Sequence, residues 1–293
     1  MMAASCGGDS TKKTADKHDN DTIIISKDSI ITVAVMPTLD CLPLFVMSNS
    51  TQTNDPSAEG SQQGTGGKYL RLLLRYALTD CDTTLLRGSA EAALTDYVHA
   101  DFLHAKQDSV VRLPHSNYTL HIITNRKARI SSAAQLTDKM VMGDRQGADM
   151  LVAQHLLDSA KLSQEKAFVV GMRDIRIRYN MLQNNETDAL VLPQPYADMA
   201  MSNGDKSILT CSQFNGRQLG TLTWIGRFRN SKKQTVIRPS DNLRQIVSWY
   251  NQGVDSLNRY GLHRYDSLLT NRMGFLQKDI KKIKEHKYRK ISL

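Results

Sequence analysis

The stretch IITVAVMPTLDCLPLFVM, from Ile30 to Met47, reads as a buried strand, a turn holding Pro37, Thr38 and Asp40, and the start of an apolar helix. Ile30 to Val35 is a near-continuous run of β-branched and apolar residues, the pattern of a strand covered on both faces of a parallel sheet. The polar residues fall where the strand ends and the helix begins. In open α/β sheets that junction is where ligands bind.

Working outward, the same punctuation recurs. Leu70 to Ala77 reads as a second strand, followed by Thr79-Asp80-Cys81-Asp82-Thr83-Thr84 and a short helix, and Ala92 to Leu94 is a third strand ending in Thr95-Asp96-Tyr97. One carboxylate at a strand end is explained as a helix cap. Three such ends on one sheet edge, Thr38 with Asp40, Asp80 with Asp82, and Thr95 with Asp96, point to a site. Further on, Tyr118 to Thr124 and Met140 to Met142 are strands, the latter running into Gly143-Asp144-Arg145-Gln146-Gly147. The helix from Ala148 to Ala160 places Leu151, Val152, His155 and Leu156 on one face, with Asp144 as its cap, and its free N–H groups favour an anion or a carbonyl oxygen. Strand Ala167 to Val170, a helix over 174–185 and strand Ala189 to Leu192, running into Pro193-Gln194-Pro195-Tyr196, complete a second βαβ series over 130–205. Two more strands, Ile208 to Cys211 and Thr221 to Ile225, precede a long helix whose Leu243, Ile246, Val247, Tyr250, Val254 and Leu257 repeat near every 3.6 residues. The tail, KDIKKIKEHKYRK from Lys278 to Lys290, reads as a solvated last helix.

A chain of 293 residues exceeds the usual single-domain size, so two lobes are expected, each with its own core. With 40% apolar and 23% charged residues and no apolar run of membrane-spanning length, a polytopic membrane protein is excluded. The net charge of +9 gathers in the tail and in the Arg126 to Arg129 and Arg173 to Arg178 clusters. No nucleic-acid motif frames these charges, so no nucleic-acid partner is expected. The four cysteines are too widely spaced for a paired-cysteine zinc site, and Cys41 and Cys81 are expected as buried free thiols, with pairing left open. Residues 48–67, SNSTQTNDPSAEGSQQGTGG, read as a polar loop. Their GTGGK ending lacks the earlier glycine of a phosphate-binding loop, and Tyr69 stands where Ser or Thr is needed. There is no G-x-S-x-G elbow, no H-E-x-x-H and no dinucleotide fingerprint. Of the eight histidines, His99 and His104 sit five apart and share no helical face, so neither a metal site nor a cofactor is expected.

Taken in order, MPTLDCLPLFV, the strand before DCDTTLL, AALTDY, AQLTDKMVMGDR and DALVLPQPYADMA resemble the type 2 periplasmic binding proteins of ABC importers, in the branch of thiamine-precursor, sulfonate and nitrate binders. Gln135 to Val141 stands at that family's D-L-x-G-K-x-I segment, and Asp188-Ala189 through Pro195 at its D-A-x-x-x-x-P segment. The resemblance implies an α/β Venus-flytrap fold, each lobe a mostly parallel sheet flanked by helices. Lobe one is expected over 23–125 and 207–293, and lobe two over 126–206. It also implies a cleft lined from lobe one by Thr38, Asp40, Asp80, Asp82, Thr83, Thr95 and Asp96, and from lobe two by Arg145, Gln146, Gln194 and Tyr196. Carboxylates crowded on lobe one repel a small anion, so a cationic or multipolar organic solute is expected.

The function implied is a monomeric solute-binding component of an ABC importer, partnered by a small molecule and a membrane permease, with an enzyme acting on a cofactor precursor as the alternative on the same fold. Residues 1–22 read as a disordered tether. Within them Ala-Ala-Ser-Cys, ending at Cys6, resembles a bacterial lipobox, implying a lipid anchor and an envelope location. Only five residues precede Cys6, so this reading needs a signal upstream, and without one the protein stays in the cytoplasm.

Overall fold

A computed structural model describes residues 23–25, 29–48, 68–107, 109–162 and 166–293. The expected tether with Cys6, and nearly all of the 48–67 loop, lie outside the described residues.

Ten strands build the two main sheets. In chain order they are β1 (Ile30–Val35), β2 (Tyr69–Leu74), β3 (Ala92–Asp96), β4 (Val110–His115), β5 (Leu120–Thr124), β6 (Met140–Gly143), β7 (Phe168–Gly171), β8 (Ala189–Pro193), β9 (Lys206–Cys211) and β10 (Gly220–Ile225). The first sheet runs β2-β1-β3-β10-β4 and the second β7-β6-β8-β5-β9. These orders are the same: second, first, third, a visiting strand, fourth. In each sheet the first three strands are parallel, and the visitor lies antiparallel to both of its neighbours. Each visitor is the first of these strands after the chain crosses from one sheet to the other, which it does after His115 and again after Cys211. The sheets therefore divide the chain a few residues away from the boundaries expected at 125 and 206.

The helices that matter for the site are α1 (Leu42–Ser48), α2 (Leu78–Leu86), α3 (Tyr97–Lys106), α4 (Ala148–Ser159), α5 (Ile175–Gln183), α6 (Tyr196–Ser202) and α7 (Ser240–Tyr260). Ile31, Val33, Ala34 and Val35 of β1 are fully buried, as a strand covered on both faces must be. All of α1 is buried too, because α7 lies against it. The two backbones approach so closely that a Cβ at Gly253 would stand 2.1 Å from the Pro43 carbonyl oxygen, so only glycine fits there. The expected stripe of α7 is the face it buries.

Three local expectations are corrected. The second strand ends at Leu74, and α2 begins at Leu78, so Asp80, Asp82 and Thr83 sit on a helix, not on a strand end. On α4 the buried face is Ala148, Asp149, Val152, Ala153 and Leu157, and Leu151 is exposed. The tail is helical only over Gln277–Ile280; residues 283–293 form an extended strap with Ile283, Tyr288 and Ile291 buried. Its backbone is held by asparagine amides: Asn117, Asn251 and Asn258 each donate to the carbonyl and accept from the N–H of one strap residue, Arg289, Ile291 and Tyr288 respectively. Cys41, Cys81 and Cys211 carry free thiols.

Candidate functional site

The carboxyl ends of β1, β2 and β3 face those of β6 and β8, and the two lobes touch there. The Leu39 N–H donates to the Gln194 carbonyl at 3.0 Å, and the Ile175 N–H donates to the Tyr76 carbonyl at 3.0 Å. Arg176, held by Asp174, lies 3.3 Å over the Tyr76 ring. Between these contacts is a buried polar cluster drawn from both lobes.

From lobe one come Asp40, in the turn after β1, Asp82 on α2, Asp96 at the end of β3, and His99 in the first turn of α3. Asp96 ends a strand in extended backbone and accepts the His99 N–H at 2.9 Å, which makes it the N-cap of α3. That cap turns the His99 ring back to Asp82, with Nδ1 and Oδ2 2.5 Å apart. From lobe two come Asp144, Asp149 and Arg178. Asp149 accepts the Asp144 N–H at 3.2 Å and forms a buried ion pair with Arg178, which also donates to the Val191 carbonyl. The lobes meet through Asp96, whose Oδ2 accepts the Ala148 N–H at the start of α4 at 2.6 Å. His99 Nε2 stands 3.9 Å from Asp144 Oδ2. Asp144 had been expected to cap α4; it accepts the Gln146 N–H instead, and the cap comes from the opposite lobe.

Burial sets the electrostatics. Desolvation pushes Asp40 and Asp96 each up to about 6, opposed by the Thr38 hydroxyl for the first and by His99 for the second. Asp82 is raised by burial as well, against its bond to His99. Burial alone would pull His99 down, but its bond to Asp82 and the charges of Asp96, Asp82 and Asp144 together push it up to about 9. It is therefore an imidazolium at neutral pH. His115, 4.0 Å from Asp40, meets no such compensation and is held down to about 3 by burial, hence neutral. Tyr118 is raised by burial and then by the charges of Asp149, Asp96 and Asp40.

Of the residues expected at the site, the structure brings together Thr38, Asp40, Asp82, Asp96 and Gln194. Six others lie elsewhere. Thr95 shares its hydroxyl with Thr223 on the opposite face of β3 from Asp96, as strand alternation requires. Asp80 and Thr83 are on the exposed side of α2, and the Thr83 hydroxyl donates to the Thr79 carbonyl. Arg145 and Gln146 are exposed, the former donating to the Val169 carbonyl. Tyr196 is buried between the Tyr179 and Phe275 rings at 5.5 and 5.3 Å.

His99, Asp144, Asp149 and Arg178 join the site without being among the residues expected to line the cleft. Two of them carried a signal: Arg178 falls at helical spacing with Ile175 and Leu182, and Asp149 with Val152 and Ala153. A charge on an apolar stripe is a buried charge.

Among the described residues, Asp40 Oδ1, Asp82 Oδ1, Asp144 Oδ2, Asp149 Oδ1, Arg178 Nε, His99 Nε2 and Gln194 Oε1 are buried without a hydrogen-bond partner. Also among them, no group of three or more His, Cys, Asp or Glu side chains is arranged to hold a metal ion, and no helix is long and apolar enough to cross a membrane.

No protein-family model and no curated protein sequence matches the chain. Solved structures do. The alkanesulfonate-binding protein SsuA of Xanthomonas axonopodis pv. citri, bound to MOPS, superposes with a TM-score of 0.66 at 12% identity, over 91% of this chain and 88% of that one. The periplasmic nitrate-binding protein NrtA of Synechocystis gives 0.65 at 10%, over 86% and 69%. A Candida albicans gene product described as having the generic periplasmic binding protein fold gives 0.59 at 10%, over 88% and 82%. With the matching strand orders of the two sheets, these likenesses show that the chain has the type 2 periplasmic-binding-protein fold.

Proposed function

We propose that this chain is the solute-binding component of an ABC-type importer, closing its two lobes on a small polar organic molecule and presenting it to a membrane permease. The observation that carries this is the set of buried polar atoms without partners where the lobes meet. Each such atom costs about 1–3 kcal/mol when left unmade, and a fold that hinges at that junction recovers the cost when a solute supplies the missing bonds. An enzyme on the same fold is less well supported. His99 already holds its proton at neutral pH, so it cannot serve as a general base, and its free nitrogen faces a carboxylate, not a nucleophile. In this reading the chain acts as a monomer outside the cytoplasm, tethered through Cys6.

A solute that binds only the folded state at a hundred times its dissociation constant adds about 2.7 kcal/mol of stability. Heating the purified protein with a deproteinised small-molecule extract should therefore raise its melting temperature, and native mass spectrometry should show one small molecule per chain. An unchanged melting curve and an unliganded mass would sink the proposal.

A further inference from the structure

We infer that the site between the lobes takes a compact cation rich in N–H donors, of the guanidinium, amidinium or primary ammonium class, and not a small oxyanion. This rests on the solute-binding reading above and narrows it.

Three observations lead there. The first is charge. Asp40, Asp82, Asp96, Asp144 and Asp149 are all buried at the junction and face two cationic side chains, His99 and Arg178. Each cation is already paired with a carboxylate, His99 with Asp82 and Arg178 with Asp149, although each keeps one buried nitrogen, Nε2 and Nε, without a partner among the described residues. An added anion would meet uncompensated negative charge in a poorly screened interior, whereas a cation would neutralise part of it.

The second is the start of α4. The first N–H groups of a helix of twelve residues are a ready-made seat for an oxyanion. Here the chain's own Asp96 Oδ2 takes that seat from the other lobe. Gly147 makes room for it, since a Cβ there would stand 2.8 Å from that oxygen and 3.3 Å from His99 Nε2. An oxyanion would have to expel a buried carboxylate in order to bind.

The third concerns unmade bonds. His99, at 2% exposure, points Nε2 into the cluster without a hydrogen bond among the described residues, and neither ring nitrogen of His115, at 4%, has one. His115 is neutral and so offers an acceptor. Added to the open oxygens of Asp40, Asp82, Asp144, Asp149 and Gln194, these acceptors outnumber the open donors, which are His99 Nε2, Arg178 Nε and the other His115 nitrogen. The complement is a cation that presents several N–H groups. A quaternary ammonium has charge but nothing to donate, and would leave these oxygens unmet.

Thermal melting and calorimetry at neutral pH with agmatine, benzamidine and putrescine test the inference, with tetramethylammonium, taurine and nitrate as comparators. At least one of the three donor-bearing cations should raise the melting temperature while all three comparators leave it unchanged. Asp40→Asn and Asp144→Asn should each weaken that cation by roughly tenfold or more, through loss of a charge-assisted bond. Asp255→Asn, on the exposed side of α7, should bind as the parent does. Taurine or nitrate stabilising the protein where the cations do not would overturn the inference. So would a cation effect that both site variants keep, or silence from every cation while the small-molecule extract still stabilises the protein; the solute-binding reading survives each of these. Silence from the extract as well would take both down.

Discussion

Asn117, Asn251 and Asn258 clamp the C-terminal strap with both ends of their amides, at distances of 2.7–3.0 Å. At the lobe junction, by contrast, Asp40, Asp82, Asp144 and Asp149 each keep a buried oxygen that takes no hydrogen bond among the described residues. Both regions join parts of the chain far apart in sequence, the strap with half-buried bonds and the junction with buried ones. The strap even reaches the second lobe, where the Lys284 N–H donates to Asp198 of α6 at 3.4 Å, and just before the strap the Lys282 carbonyl accepts the Ser202 hydroxyl at 3.3 Å. The difference is completion. A finished set of bonds holds backbone in place, while an unfinished set in a hinged fold asks for a molecule to finish it.

The sharpest way to break that contrast is at the buried ion pair inside the junction. Arg178→Ala removes the partner of Asp149 and leaves a buried carboxylate alone, which should lower the unfolding free energy by about 3–5 kcal/mol in a denaturant titration. A loss below about 1 kcal/mol would mean that Asp149 is solvated or protonated, and the junction would not be the dry cluster described above. On the strap, Asn251→Ala strips two backbone groups of Ile291 of their partners and should cost about 1–2 kcal/mol. Because it touches no site residue, it should leave solute-induced stabilisation unchanged. An Asn251→Ala protein that keeps its stability, or loses its response to solute, would show that the two regions are not separate in function.

How much of this could be read from the sequence depended on whether the deciding partners were near in the chain. The fold was legible because parallel strands announce themselves: Ile30 to Val35 and Ala189 to Leu192 are runs with no polar break, and the polar residues gather just past their ends. Thr38, Asp40 and Asp96 follow from that rule. The rule overcounts, however, because neighbours on one element cannot share a face. Thr95 and Asp96 alternate across β3, and Asp80 and Thr83 turn away from Asp82 around α2. Arg178 was legible in principle, from its spacing with Ile175 and Leu182, but sat inside a basic run that reads as solvated. The strap was not legible. Ile280 and Ile283 have helical spacing, and what overrides it is the three asparagines, one before β5 and two on α7, which local periodicity cannot register.

The smallest effect bears on His99, which belongs to the junction yet is partly finished by Asp82. Its folded pKa of about 9 lies above the ordinary 6.5, so the folded state binds that proton more tightly than the unfolded chain. The stability it contributes is complete below pH 6.5 and is lost as pH rises through 9. Neighbouring groups change elsewhere. Asp40 and Asp96, raised to about 6 from 3.8, contribute below that window, in the sense that stability falls as pH rises from 3.8 through 6. His115, held down to about 3, loses its contribution only as pH falls below 6.5, and the raised thiols of Cys41 and Cys81 act above pH 9. The interval from 6.5 to 9 is thus His99's own. Stability should drop across it by on the order of 1 kcal/mol, less than a lone group would give because Asp82, itself raised by burial, shares the proton. His99→Gln should flatten the profile. A wild-type curve already flat between pH 6.5 and 9, or a slope that survives in His99→Gln, would mean that the imidazole is neutral. The junction would then hold one more acceptor and one less cation than drawn.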